Sequence, residues 1–277
     1  MANLETKILK PSYLIILGHA LYEPWLSILI NGQLKTWAST TNPLILHAYA
    51  TPVNRVLHWL DQKYWALKWN KHVGRIVLIL EIVVLKFFNR RPTSTKQVVS
   101  NYGFNALEVG MLDLNTQMNR KSLAVIKYAS KLKVDFIVFT TSSSYINLNN
   151  LEKCLMSLPR ENLAAGRLLE QSGEIFPSGS FRIFSPDLLI AALGNLKLYK
   201  YWLPEDLALG KLLKHESPSF VQIASIDIDS WGGIENLTQE DLDRVVHYRL
   251  KSGTILERND IALMLDLHKK INDGNER

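Results

Sequence analysis

The chain is predicted to fold as an α/β protein, with a mixed, mainly parallel central sheet flanked by helices, from three features. Short apolar runs of strand length recur at Tyr13–Leu17, Leu44–Tyr49 and Val134–Phe139. The first two are separated by a stretch with helical character, and a strand–helix–strand succession of this length opens a parallel sheet. A composition of 47% hydrophobic and 21% charged residues over 277 residues supplies a sizeable core. A single domain spanning 1–277, interrupted by an apolar helical insertion at 52–92, accommodates all of it.

The elements follow in order. Tyr13–Leu17 ends at Gly18-His19, a buried strand running into a loop. Glu23-Pro24-Trp25 places proline at a helix start, and the helix is expected over Trp25–Leu34. Leu44–Tyr49 is the second strand. Within 52–92, Trp59, Trp65 and Trp69 precede an apolar run, Ile76–Leu85, in which Glu81 is the one charged residue. That run falls short of the roughly 20 residues a bilayer span needs. Tryptophans and basic residues at its flanks suit a helix lying in a lipid interface, but short apolar runs more often belong to a core helix or one covered by another subunit. Pro92–Ser100 reads as a loop, Leu107–Leu112 as a short strand and Thr116–Leu132 as a helix. Further on come a helix at Leu148–Ser157, a glycine-containing stretch at 164–179, a helix at Pro186–Leu196 and another from Leu203. A strand at Phe220–Ile228 and a terminal helix at Asp260–Asn272 complete the chain.

Charge and cysteine content narrow the function classes. With 32 basic and 26 acidic residues the net charge is +6, which favours an anionic partner. No zinc pattern, helix-turn-helix signature or aromatic-basic platform is present, so nucleic acid is not expected. Cys154 is the one cysteine; it excludes an internal disulfide and fits a reducing compartment. No secretory signal is visible at the N-terminus, because Tyr13–Leu17 is too short for the apolar region of one and no cleavage site follows. A cytoplasmic location, peripheral at the inner face of the membrane, is expected.

Four segments carry the candidate chemistry. The first is the polar turn Thr140-Thr141-Ser142-Ser143-Ser144 that follows the strand at Val134, continuing through Tyr145-Ile146-Asn147. The second is Pro177-Ser178-Gly179 through Phe184-Ser-Pro-Asp-Leu188. The third is Glu205-Asp206-Leu207-Ala208-Leu209-Gly210, with two carboxylates in a first helical turn, where the helix dipole favours them. The fourth is His247-Tyr-Arg249-Leu-Lys251, followed by Arg258.

In this order the four segments resemble GT-A (Rossmann-like) glycosyltransferases of the β-1,3-galactosyltransferase and fringe type, and more closely a bacterial, polysaccharide-associated branch. The resemblance covers roughly residues 10–50 and 105–260 and leaves 52–92 as a private insertion. In that superfamily an acidic metal turn precedes the aromatic and the asparagine. Here Ser144-Tyr145-Ile146-Asn147 matches the end of the motif, and Thr/Ser replaces its acidic part.

The resemblance implies an inverting transfer of a sugar from a nucleotide-diphosphate donor to a carbohydrate or lipid-linked glycan acceptor, in capsule, O-antigen or related surface polysaccharide synthesis. Asp206 would be the general base that takes the proton of the attacking hydroxyl. Ser178, Gly179 and Glu205 would meet the acceptor. Thr141, Ser142, Ser143 and Ser144 would hydrogen-bond ribose or phosphate, or simply form the turn. Arg249, Lys251 and Arg258 would bind the diphosphate, or else be a solvated basic surface. His247 would assist them, protonated or as a neutral hydrogen-bonding group. His19 and Lys121 complete the donor set, by their places after the first strand and at the start of the helix at 116. A divalent metal is not expected at the Thr/Ser turn, because neutral hydroxyls are poor ligands, and no cofactor is expected. A membrane surface is an expected partner through residues 59–91. The alternative is a catalytically inactive domain of the same fold that binds nucleotide or glycan.

Overall fold

The computed structural model describes residues 10–49, 51–56, 59, 94–100, 102–111, 118–171, 173–201, 203–252 and 258–275. The expected interfacial helix, Trp65, Trp69 and nearly all of the 52–92 insertion lie outside these residues.

The centre of the molecule is an eight-stranded mixed sheet flanked by helices. β1 (Tyr13–Gly18), β2 (Leu44–Ala48), β4 (Asn105–Val109) and β5 (Phe136–Thr141) run parallel in the spatial order β4-β2-β1-β5. Antiparallel strands extend this block on both sides. β3 (Thr95–Val99) pairs with β4, while β8 (Glu174–Phe184) joins β5, β7 (Leu163–Gln171) joins β8, and β9 (Ser219–Gln222) closes the far edge parallel to β7.

β1 buries three consecutive residues, Ile15, Ile16 and Leu17, and β2 buries all five of its residues, as strands covered on both faces must. Alternate side chains enter two cores. Ile15, Leu17, Phe136, Val138, Phe181 and Ile183 pack on one face. Ile16, Leu44, Leu46, Ile137, Phe139 and Phe184 pack on the other, against helices Met118–Ala129, Pro186–Gly194 and Glu205–Lys214. A second sheet of three strands is built from β6 (Ser144–Ile146), β10 (Ser225–Ile228) and β11 (His247–Leu250), with β11 at its centre.

Several expectations are corrected. Pro92–Ser100 contains the edge strand β3, whose residues are almost all exposed; three polar residues followed by Val98 and Val99 give no apolar alternation to reveal it. The stretch 164–179 is most of the hairpin β7–β8. Its ladder is interrupted between Gly166 and Leu168, and Gly166 has φ +147 with the Phe181 carbonyl where a Cβ would go. This bulge disrupts the period-two signal. Trp25–Leu34 is a succession of short turns over residues 25–35, including a wide five-residue turn at Ile28–Gly32, in place of one regular helix. Phe220–Ile228 divides into β9 and β10, which belong to different sheets, and 247–250, read as a ligand-binding segment, is strand β11.

Helix Glu205–Lys214 lies close against β8. A Cβ on Gly210 would stand 2.3 Å from Phe176 Cβ, well inside van der Waals contact. Gly210→Ala is therefore expected to lower unfolding free energy by about 1–3 kcal/mol, although alanine is the better helix former. Urea denaturation measures this, and an unchanged or raised midpoint would refute the close packing.

Candidate active site

Leaving β1, the chain turns to one side to form β2, while β5 lies on the other, so the sheet has a topological switch point between β1 and β5. Ligands of open α/β sheets bind at the carboxyl ends of strands at such points. Gly18 and Thr141 are register partners there, which brings the loop at His19 beside the Thr/Ser turn. That turn is also the joint between the two sheets: β5 ends at Thr141 and β6 begins at Ser144.

The turn is fastened from below. Gln33 Nε2 donates to the carbonyls of Thr141 (3.0 Å) and Ser144 (3.1 Å), and Trp37 Nε1 donates to Ser144 O (3.1 Å). Thr140 Oγ1 and Ser144 Oγ both donate to Ser180 O, joining the turn to β8. Asn147, which follows β6, caps helix Leu148–Ser157 and donates to Leu242 O. Its role is structural.

From Ser180 the connection runs on to the carboxylates. A Cβ on Gly179 would lie 3.4 Å from Glu205 Oε2 and 3.9 Å from Asp206 Oδ2, and the Gly179 N–H is 3.5 Å from Asp206 Oδ2. The other oxygen of Asp206 accepts from Leu207 N at 3.0 Å. Asp206 is half-buried. Glu205, by contrast, is held by both oxygens: Arg182 Nη2 donates to Oε1 (2.6 Å) and Nη1 to Oε2 (3.1 Å). This pair is buried, with side chains 6% and 12% exposed. Arg182 lies over the rings of Phe139 and Phe184 and also reaches Ser122 Oγ. Asn119 anchors the approach to the helix, donating to Tyr201 O and Leu203 O and accepting from Tyr199 OH.

Several expected site residues are already engaged. His247 is fully buried; its ring stacks on Phe181 at 4.8 Å, Nε2 meets Ser144 Oγ (3.0 Å) and Nδ1 meets Ser225 Oγ (2.7 Å). Burial, reinforced by the charges of Arg167 and Arg249, lowers its pKa to about 3. The role expected for it is to assist at the donor phosphates, protonated or neutral; here the ring is buried and both nitrogens have partners within the fold. Ser144 is likewise buried and holds the sheets together. Ser178 is buried, with its hydroxyl on Ser180, and each oxygen of Glu205 already accepts one hydrogen bond from Arg182. Arg258 donates to Ser143 Oγ at 2.6 Å, is ion-paired with buried Asp260 and lies over the ring of Trp25. Its charge is neutralised. Lys121 is buried and donates to His19 O at 2.5 Å; both residues lie beneath the β1 end rather than facing outward.

Thr141 and Ser142 are half-buried. Arg249, also half-buried, is the register partner of Ser144 and so stands beside the turn. Lys251 is exposed. Among the described residues no group of three or more His, Cys, Asp or Glu gathers to hold a metal, and Ser and Thr hydroxyls are weak, neutral ligands.

No family model matches the chain, and no curated protein sequence matches it. Solved structures do. The galactosyltransferase LgtC in complex with donor and acceptor sugar analogues matches over 92% of this chain and 95% of that one, at 9% identity and a TM-score of 0.44. An active-site mutant of LgtC matches over the same shares at 10% identity and a TM-score of 0.45. A glycosyltransferase involved in glycosylation of the major capsid of PBCV-1 matches over 92% and 99%, at 9% identity and a TM-score of 0.42. Likeness of this degree says nothing about the chemistry of this chain's site.

The residues that sequence reading missed are Arg182, Gln33, Trp37, Asn119 and Asp260. Arg182 carried a signal, as a lone charge inside the apolar run Phe181–Phe184. Gln33 and Trp37 carried none, because their partners are backbone carbonyls more than a hundred residues away.

The buried imidazole has a measurable consequence. The folded pKa of His247 lies below its unfolded value near 6.5, so the unfolded chain binds the proton more readily. Stability is kept above pH 6.5 and lost as pH falls toward about 3. The contribution from this group declines by about 1.4 kcal/mol per pH unit within that window. Urea unfolding at several pH values, compared with His247→Gln, is expected to show this slope in the parent and a shallower one in the variant.

Proposed function

We propose that the chain is an inverting glycosyltransferase whose donor is a nucleotide-diphosphate sugar and whose acceptor is a glycan, free or lipid-linked, in surface polysaccharide synthesis. The observation that carries this reading is the placement of Asp206 over Gly179, joined through Ser180 to the turn at the β1–β5 switch point. An acceptor hydroxyl lodged above Gly179 would give its proton to Asp206 Oδ2 as its oxygen attacks the anomeric carbon. The new glycosidic C–O bond forms as the C–O bond to the diphosphate breaks, and the diphosphate leaves with the electron pair. One carboxylate on the acceptor side is the arrangement inversion needs.

The growing charge on the leaving group requires positive partners. Arg249 is the best placed, beside the turn, with Lys251 next in the chain and the hydroxyls of Thr141 and Ser142 on the nucleotide. Arg258 contributes by fixing Ser143 rather than by direct charge. Glu205, bound to Arg182, positions the helix that carries Asp206. No metal is required in this scheme.

The engagement of His247 and Arg258 favours the second reading, a nucleotide- or glycan-binding domain without activity, to the extent that it leaves few cations free. Both readings are tested by thermal shift with UDP-, GDP-, CMP- and dTDP-sugars, each with EDTA or with manganese. A transferase is expected to be stabilised by at least one donor in EDTA. No stabilisation under either condition would sink the transferase and the nucleotide-binding form of the second reading, leaving only a glycan-binding domain, and stabilisation only with manganese would sink the metal-free scheme. The membrane contact expected through 59–91 is tested separately, by charging Ile76–Leu85 and following the protein between membrane and soluble fractions. No helix among the described residues is long and apolar enough to cross a membrane.

A further inference from the structure

The face beyond the 205–214 helix has no part in the proposed chemistry, yet it carries an open cavity of about 810 Å³. Lys197, Lys200, Lys211, Lys214 and His215 line it, with Glu174 as the one carboxylate. Lys211 and Lys214 are accounted for by the fold. They share Glu174, at 3.3 and 2.8 Å, and they lie in the last turn of the helix, where its dipole favours cations. The nearby Glu216 accepts from Asn195.

Lys197 and Lys200 are different. Both are exposed, and among the described residues neither has a carboxylate partner. They belong to the sequence Lys197-Leu198-Tyr199-Lys200-Tyr201-Trp202, in which basic and apolar or aromatic residues interleave. Leu198 is 36% exposed and Tyr201 50% exposed, with Tyr201 edge-on to Tyr199 at 5.0 Å. A rim of lysines beside exposed leucine and tyrosine does not resemble a cradle for one small anion, which uses fixed, converging donors such as backbone N–H groups. It fits a surface that is negative at the headgroups and apolar just below them. There the Tyr201 ring and the leucine enter the interface while the lysine stems extend to the phosphates.

We infer that the turn 196–201 and the adjoining lysines form a docking surface for an anionic phospholipid bilayer. Tyr199, buried beneath this surface, ties it to the polar cluster around Asn119. The inference does not depend on the transferase reading.

The test is co-sedimentation of the full chain with vesicles of phosphatidylcholine alone, or of phosphatidylcholine mixed with phosphatidylglycerol. Binding is expected to the mixed vesicles only and to weaken in high salt. Lys197→Glu/Lys200→Glu is expected to reduce it about tenfold or more, and Leu198→Ser/Tyr201→Ser to reduce it as well. All four side chains are exposed or on the rim, so thermal midpoints and any donor-induced shift should match the parent. Failure of the parent to bind mixed vesicles would overturn the inference. Equal binding by the lysine variant would overturn it too and assign the contact to another segment, such as 59–91. Stabilisation by inorganic pyrophosphate without vesicle binding would mark a small-anion site instead, with the same result.

Discussion

Replacing Asp206 by asparagine is expected to lower kcat by about 10²–10⁴-fold, the range that loss of a general base produces. Asparagine keeps the size of the side chain and, with its oxygen toward Leu207 N, the start of the helix, while the Gly179 N–H loses its long 3.5 Å contact to Oδ2. Donor-induced thermal stabilisation and KM for the donor should therefore stay near the parent values, because the turn lies on the other side of Ser180. This split between kcat and donor binding separates a base from a residue that merely holds the fold. Parental activity in Asp206→Asn would remove the mechanism outright. A variant that loses donor binding in step with activity would instead make Asp206 structural.

The second large effect is expected at Arg182. Its guanidinium is held by both oxygens of Glu205 in a buried pair, and removing one partner leaves the other charge buried and uncompensated. Arg182→Met should therefore lower unfolding free energy by about 3–5 kcal/mol. Arg182→Met/Glu205→Leu, which removes both charges and keeps apolar volume between Phe139 and Phe184, should recover most of that loss. Urea denaturation of the two variants measures the contrast. The single variant should also lose activity with no change in the residue that performs proton transfer, because Glu205 anchors the first turn that carries Asp206. If the single variant is as stable as the parent, the pair does not anchor the helix. If the double variant is no better than the single, packing rather than charge dominates at this place.

Apolar runs located β1, β2 and β5 because those strands are covered on both faces, and burial on both faces writes itself into consecutive residues; for β4 the expected 107–112 only overlaps the strand Asn105–Val109. Helix Leu148–Ser157 was legible to the residue, since Asn147 is a good N-cap before an amphipathic run. β3 and the β7–β8 hairpin were not legible. One is an exposed edge and the other carries a bulge, and in both the hydrophobic pattern that marks a strand is absent or broken.

The site divides in the same way. The order of segments, read through the resemblance, singled out the Thr/Ser turn, Gly179, Asp206 and Arg258; the structure sets Gly179 beside Asp206 and Arg258 on Ser143, pairings the sequence did not name. Which side chains still have unspent hydrogen-bonding capacity was not legible. His247, Arg258 and Glu205 all look available in the sequence, yet each is committed: to Ser144 and Ser225, to Asp260, and to Arg182. Sequence by itself determined the layered α/β architecture and the chemical character of the turn, since both depend on local pattern and residue type. Tertiary structure alone decided which groups are left for a ligand, because a buried donor or charge must take its partner from wherever the fold supplies one, however distant in the chain.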